Sequence, residues 1–234
     1  MTRPLDVLRS LAFYAAFYFG SVAYVLLACL ALPISAPLFR QIVGGWSAYH
    51  LVCVRLLLGI RLKIEGEVPG GAVLVAIKHE SMFEAVDMPR FLDHPGVFAK
   101  AELLRIPLWG MVGERFGLIG VERDQGAKAL RTMVARAREI SAEGRPLAIF
   151  PEGTRIGHGS RAPLQSGFAG LYKLLALPVV PIAINSGPLY HRRWKRAGTI
   201  TARIGEPIPP GLPREEVEAR VTAAINALNP ISLS

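Results

Sequence analysis

Three short polar clusters, each directly following an apolar run, hold most of the residues in this 234-residue chain that are equipped for chemistry. The first is Lys78-His79-Glu80-Ser81-Met82-Phe83-Glu84. With His79 at the end of a strand and Glu84 in the first turn of the next helix, the chain reversal brings imidazole and carboxylate together. A carboxylate bonded to one ring nitrogen holds the tautomer whose other nitrogen accepts a proton, so the pair is equipped to activate an alcohol. A lone histidine in such a place more often caps a helix or satisfies a buried carbonyl, and its neighbours decide between the two. Ser81 carries a nucleophile's hydroxyl but has no Gly-x-Ser-x-Gly elbow, so helix capping is its expected role.

The second cluster is Phe150-Pro151-Glu152-Gly153-Thr154-Arg155. A turn of Pro, Gly and Thr after a strand presents backbone N–H groups, while Glu152 adds an acceptor and Arg155 a phosphate-binding fork. The third is Gly117-Leu118-Ile119-Gly120-Val121-Glu122-Arg123, in which Arg123 follows a strand and is placed to hold a phosphate. Open α/β sheets keep their ligands at such strand ends.

The elements that must position these clusters read as short strands alternating with amphipathic helices beyond Gly66, the pattern of an α/β domain. Strands are predicted over 72–78, 96–100, 118–122, 147–150, 179–184 and 199–204. Helices are predicted over 83–92, 126–143, 166–177 and 214–228, with 102–116 mixed helix and turn around Pro107. In the 126–143 helix, Leu130, Met133, Val134, Ala137 and Ile140 fall on one face.

Ahead of this lies a different composition. Leu11 to Leu32 runs without a charge and is long enough for a helix to cross a hydrocarbon core about 30 Å thick. The run also exceeds the apolar core of a signal peptide. A second apolar stretch, Ile42 to Ile60, is interrupted only by His50 and Arg55, and Pro33 and Pro37 mark the break. A helix hairpin is expected over residues 1–60, with a catalytic domain over 61–234. Arg3 and Arg9 precede the first helix, and Arg55, Arg61 and Lys63 accompany the end of the second, which puts both ends on the cytoplasmic side. That side is the inner membrane's inner face in a bacterium.

Half the residues are hydrophobic and 19% charged, too apolar for an ordinary soluble enzyme or a disordered chain. The net charge of +9 points to an anionic partner, a membrane surface or a phosphorylated substrate. Nucleic acid is not expected: stacking aromatics are not interleaved with the cations, and no zinc-ligand or helix-turn-helix pattern is present. Cys29 and Cys53 lie in apolar helices without metal-type spacing and read as reduced packing residues. The cluster His191-Arg192-Arg193-Trp194-Lys195-Arg196 suits either a headgroup contact at the membrane interface or a solvated loop.

In their order and spacing the clusters resemble the glycerolipid acyltransferase family over about Leu62 to Glu206. The family's motifs are His, four residues, Asp; Gly-x-x-Phe-Ile-x-Arg; Phe-Pro-Glu-Gly-Thr-Arg or Ser; and a Val-Pro-Ile strand. Here they correspond to His79–Glu84, Gly117–Arg123, Phe150–Arg155 and Val180-Pro181-Ile182. Glu84 stands where Asp is usual, Gly120 and Val121 where Phe and Ile are usual, and Gln165-Ser166-Gly167 where a basic pair before Gly is common.

The resemblance implies an α/β fold with a mixed sheet flanked by helices. It implies transfer of a fatty acyl group from an acyl carrier protein or coenzyme A thioester to the sn-2 hydroxyl of lysophosphatidic acid, with no metal or redox cofactor. It makes His79 the base and Glu84 its orienting carboxylate. Lys100, Arg123, Glu152, Gly153, Thr154 and Arg155 would contact the acceptor. Other readings are a different lyso-lipid acceptor such as lyso-ornithine lipid, a catalytically silent lipid-binding membrane protein, and a hydrolase using Ser81.

Overall fold

The computed structural model describes residues 3–67, 70–121 and 126–229, the side chains of 126–129 excepted. It opens with two apolar helices, α1 (Pro4–Ala31) and α2 (Ala36–Cys53), the latter continued by a π-helical turn, Val54–Leu58. Both are long and apolar enough to cross a membrane. The second starts six residues before the apolar run that announces it. Ser35 caps it by accepting from the backbone N–H of Leu38, and Pro37 sits in the first turn, where a missing N–H costs nothing. The prolines that read as a break are therefore partly a helix start.

Gly59, at φ +70°, turns the chain from the π-helical turn straight into β1 (Ile60–Glu65). This strand escaped the sequence reading, although Ile60, Leu62 and Ile64 alternate with Arg61 and Lys63 as a half-buried strand should. The rest follows as β2 (Leu74–Ile77), α3 (Phe83–Phe91), β3 (Gly96–Lys100), α4 (Ala101–Leu104), α5 (Trp109–Phe116) and β4 (Leu118–Val121). After these come α6 (Gly126–Ala142), β5 (Leu147–Ile149), α7 (Ser166–Leu175), β6 (Val179–Ile184), α8 (Gly187–Tyr190), β7 (Gly198–Ile204) and α9 (Arg214–Ile225).

The strands form one mixed sheet in the order β1-β7-β6-β2-β5-β3-β4. Neighbours are parallel except β6 and β7, which pair antiparallel. Period-two alternation divides the core between the two faces. Leu74 and Ala76 of β2 point to α6, α7 and α9, joining Ala137, Ile140, Phe168, Leu171, Val217 and Val221. Val75 and Ile77 point the other way, into a cluster with Phe83, Val86 and Met88 of α3.

That second cluster also takes in Phe13 and Phe17 of α1 and Cys53, Val54 and Leu58 at the end of the hairpin. The far end of the hairpin has its own cluster, in which Ala28, Ala31, Phe39 and Val43 meet Val112 and Phe116 of α5. The Ser47 hydroxyl of α2 donates to the Val86 carbonyl of α3 at 2.8 Å. Outward, α1 leaves Leu8, Phe19, Val22 and Leu30 more than half exposed. The hairpin thus turns one side to the sheet's core and an apolar side away from the protein.

Candidate active site

At the centre of the sheet, β6, β2 and β5 lie side by side and parallel, so the segments after Ile77, Ile149 and Ile184 converge at one edge. His79 follows β2. Its Nδ1–H donates to Glu84 Oε1 at 3.0 Å, since a carboxylate can only accept, and this leaves Nε2 as the acceptor nitrogen. The ring stacks on Phe150 at 4.0 Å between centroids and an interplanar angle of 21°. Its side chain is 14% exposed, against 3% for Glu84. Only the imidazole is open to an incoming hydroxyl.

Glu84 is held from five directions. Oε1 also accepts the backbone N–H groups of Glu80 at 2.7 Å and Ser81 at 2.6 Å. Oε2 accepts the hydroxyls of Ser186 at 2.7 Å and Ser81 at 3.1 Å. The carboxylate also lies in the first turn of α3, where the helix dipole favours negative charge. One methylene more than Asp lets it reach His79 while taking these bonds.

Ser81 is fully buried, and its oxygen accepts the Phe83 backbone N–H at 3.0 Å while its hydroxyl donates to Glu84; the N-cap of α3 itself is Met82, one residue on, so Ser81 supports Glu84 and the chain entering the helix. It has no open face from which to attack a substrate. Ser186, after β6, lies in none of the clusters that stand out in the sequence, and only the parallel pairing of β2 and β6 brings it here.

Beneath the imidazole lies a second charged pair. Lys78 Nζ donates to Glu152 Oε1 at 2.6 Å, both side chains being wholly buried, and to the Ser160 carbonyl at 3.2 Å. Glu152 Oε2 accepts the backbone N–H of His79 at 3.4 Å. The Glu152 carboxylate, expected to contact the acceptor, faces inward here, because a buried lysine needs a counter-charge. Gly153 turns the following chain outward at φ +70°, leaving Thr154 and Arg155 exposed.

Glu80 is buried too, accepting from His158 Nδ1 at 2.9 Å and from the Gly187 N–H at 2.8 Å. Burial raises its pKa against the lowering effect of these donors. These bonds tie the loop after Arg155 to the start of α8.

The other expected contact residues are less gathered. Lys100 is exposed at the end of β3, on the same sheet edge but two strands from β2. Arg123 lies outside the described residues. Arg155 lines a groove of about 400 Å³ beside Met82, together with Tyr14 of α1 and Arg192, Arg193 and Lys195 after α8. The cluster after α8 is thus brought to the active-site edge by a contact between distant parts of the chain, which local sequence does not announce.

A family model described as Acyltransferase matches residues 60–185 of the chain. A 1-acyl-sn-glycerol-3-phosphate acyltransferase of Pseudomonas aeruginosa is 29% identical over 231 residues, covering 95% of this chain and 87% of its own. The human 1-acyl-sn-glycerol-3-phosphate acyltransferase alpha is 29% identical over 216 residues, covering 88% of this chain and 76% of its own. Among solved structures, the crystal structure of the 1-acyl-sn-glycerophosphate (LPA) acyltransferase from Thermotoga maritima superposes with a TM-score of 0.76 at 20% identity, over 95% of this chain and 97% of the other. That last likeness establishes a shared fold.

Proposed function

Because the chain belongs to the acyltransferase family, we propose that it acylates lysophosphatidic acid at the sn-2 hydroxyl, drawing the acyl group from an acyl carrier protein or coenzyme A thioester and yielding phosphatidic acid. The observation that carries the catalytic part is the His79–Glu84 pair, an imidazole whose Nδ1 is fixed by a fully bonded carboxylate and whose other nitrogen is free to accept. The acceptor is supported by the relatives, named for 1-acyl-sn-glycerol-3-phosphate, and by the cations around Arg155.

In this reading His79 Nε2 takes the proton of the acceptor hydroxyl as its oxygen attacks the thioester carbonyl. The tetrahedral intermediate collapses by breaking the C–S bond, and the leaving thiolate takes the proton back from the imidazolium. Glu84 stabilises that transient cation and prevents the ring from turning, and Phe150 limits the remaining motion. No covalent acyl-enzyme forms. Base catalysis of roughly 10²–10⁴-fold and the alignment of the two substrates supply the acceleration. In this reading the two apolar helices hold the enzyme at the membrane where the lipid acceptor resides, and the cations flanking the hairpin favour its cytoplasmic face.

Purified protein offered lysophosphatidic acid or lyso-ornithine lipid, each with either thioester, tests the assignment. Phosphatidic acid is the expected product, and acylation of lyso-ornithine lipid alone would overturn the choice of acceptor. Within the site, Glu84→Gln is expected to lower kcat roughly 10²–10⁴-fold, because a neutral amide neither stabilises the imidazolium nor suits every donor around it. Glu84→Asp keeps the charge and should stay within about ten-fold of wild type. Equal losses at saturating acceptor would show that reach outweighs charge.

A further inference from the structure

Lys195 is 7% exposed yet pairs with no carboxylate among the described residues. Its ammonium donates to the Tyr190 carbonyl at 2.8 Å and lies 3.8 Å from the centroid of the Tyr190 ring, 5.4 Å from that of Tyr14 and 5.9 Å from that of Phe13. An ammonium has three protons to donate, and one carbonyl is a single hydrogen-bond acceptor for them, the three rings offering only their faces. Desolvation pushes its pKa down to about 8. The neighbours on the groove wall, Arg155, Arg192 and Arg193, likewise have no carboxylate within ion-pair distance among the described residues. Four cationic residues therefore line a space of about 400 Å³, with no carboxylate residue among its described lining.

The groove is a built feature and not a chance surface dip. Lys195 is positioned by its own backbone N–H, which donates to Ser10 Oγ at 2.8 Å, and Ser10 in turn donates to the Asp6 carbonyl of α1 at 2.6 Å. Four residues further along α1, the Tyr14 hydroxyl donates to the Arg193 carbonyl at 2.6 Å. One wall is thus an apolar helix and the other a cationic loop pinned to it, and Met82, three residues from His79 in sequence, is also in the lining. Such a lining matches a molecule with an aliphatic chain and a compact anion.

We propose that this groove is the phosphate subsite for the lysolipid acceptor, with Lys195 as its buried anchor and Arg155 as its partner on the active-site side. The inference rests on the acceptor reading above and adds to it a determinant outside the motifs after β2, β4 and β5. It separates phosphate-bearing acceptors from neutral ones: a phosphate monoester satisfies the remaining protons of Lys195, whereas an uncharged headgroup leaves them unbonded. Because the anchor is fixed to α1, the acceptor enters along that helix with its chain on the apolar side.

The test pairs Lys195→Met, which keeps the length and removes the charge, with Lys195→Arg, which keeps the charge. Two readouts are taken in neutral detergent: the KM for lysophosphatidic acid and direct binding of 2-deoxy-lysophosphatidic acid, which has the phosphate and chain but no hydroxyl to acylate. Lys195→Met is expected to raise the first and weaken the second by about ten-fold or more. The KM for the acyl thioester should stay within two-fold, and Lys195→Arg should recover part of the loss. If Lys195→Met leaves the KM for lysophosphatidic acid and the binding of the deoxy analogue unchanged, the proposal is overturned. It is also overturned if the variant loses only its attachment to phosphatidylcholine vesicles containing phosphatidylglycerol, since the groove would then hold a bilayer lipid. Wild-type protein that binds the deoxy analogue through Lys195 but never acylates lysophosphatidic acid would sink the proposed activity and leave the subsite standing.

Discussion

Replacing His79 by alanine is expected to lower kcat by roughly 10²–10⁴-fold while leaving the fold and membrane attachment intact. The residue lies at the edge of the site and not in either core cluster: its ring stacks on Phe150 and bonds Glu84, with 14% of the side chain exposed. Glu84 keeps four of its five donors in the variant, two backbone N–H groups and two hydroxyls, so its charge stays solvated by the protein. The melting temperature should therefore move little while single-turnover acyl transfer collapses. Activity within a few-fold of wild type would exclude His79 as the base, and the proposed mechanism with it.

The pair beneath it should respond in the opposite sense, through stability first. Lys78→Met strands the Glu152 carboxylate, and Glu152→Leu strands the Lys78 ammonium, each in a place with no access to water. Leaving such a charge uncompensated costs about 3–5 kcal/mol, or about 10 °C in melting temperature for a chain of this size. The double variant removes both charges and should recover at least half of that loss. It should nevertheless stay well below wild type in kcat, because the His79 backbone N–H loses its acceptor and the turn carrying Phe150 loses its tie to β2. Thermal unfolding in detergent, with kcat measured on the same samples, separates the two effects. A double variant no more stable than either single one would mean the two side chains act independently.

His79 and Glu84 were legible because five positions of separation across a strand-to-helix reversal are enough to bring them together, a local relation. The inward turn of Glu152 was not, because it depends on Lys78, whose type suggests solvent until the sheet buries it. Ser186 belongs to the site only through strand pairing, and Lys195 only through a contact with α1 that spans 185 residues. The strands of the central sheet could be read from short apolar runs, but their order could not. Nothing local in Ile60–Glu65 says that it joins β7 at the edge, and the apolar run before it drew Ile60 into the helix.

Between the π-helical turn and β1 there is one residue, Gly59, and no tether. On the membrane reading, this makes the enzyme a catalyst that acts only in cis. A tethered domain would sweep a hemisphere of solution and sample lipids at any angle, whereas this one shares its hydrophobic core with the hairpin and keeps its reactive nitrogen at a set depth. Its search for the lipid is two-dimensional, confined to the membrane that holds the hairpin, and the orientation of each encounter is settled before contact. Only the thioester must then be captured from three dimensions.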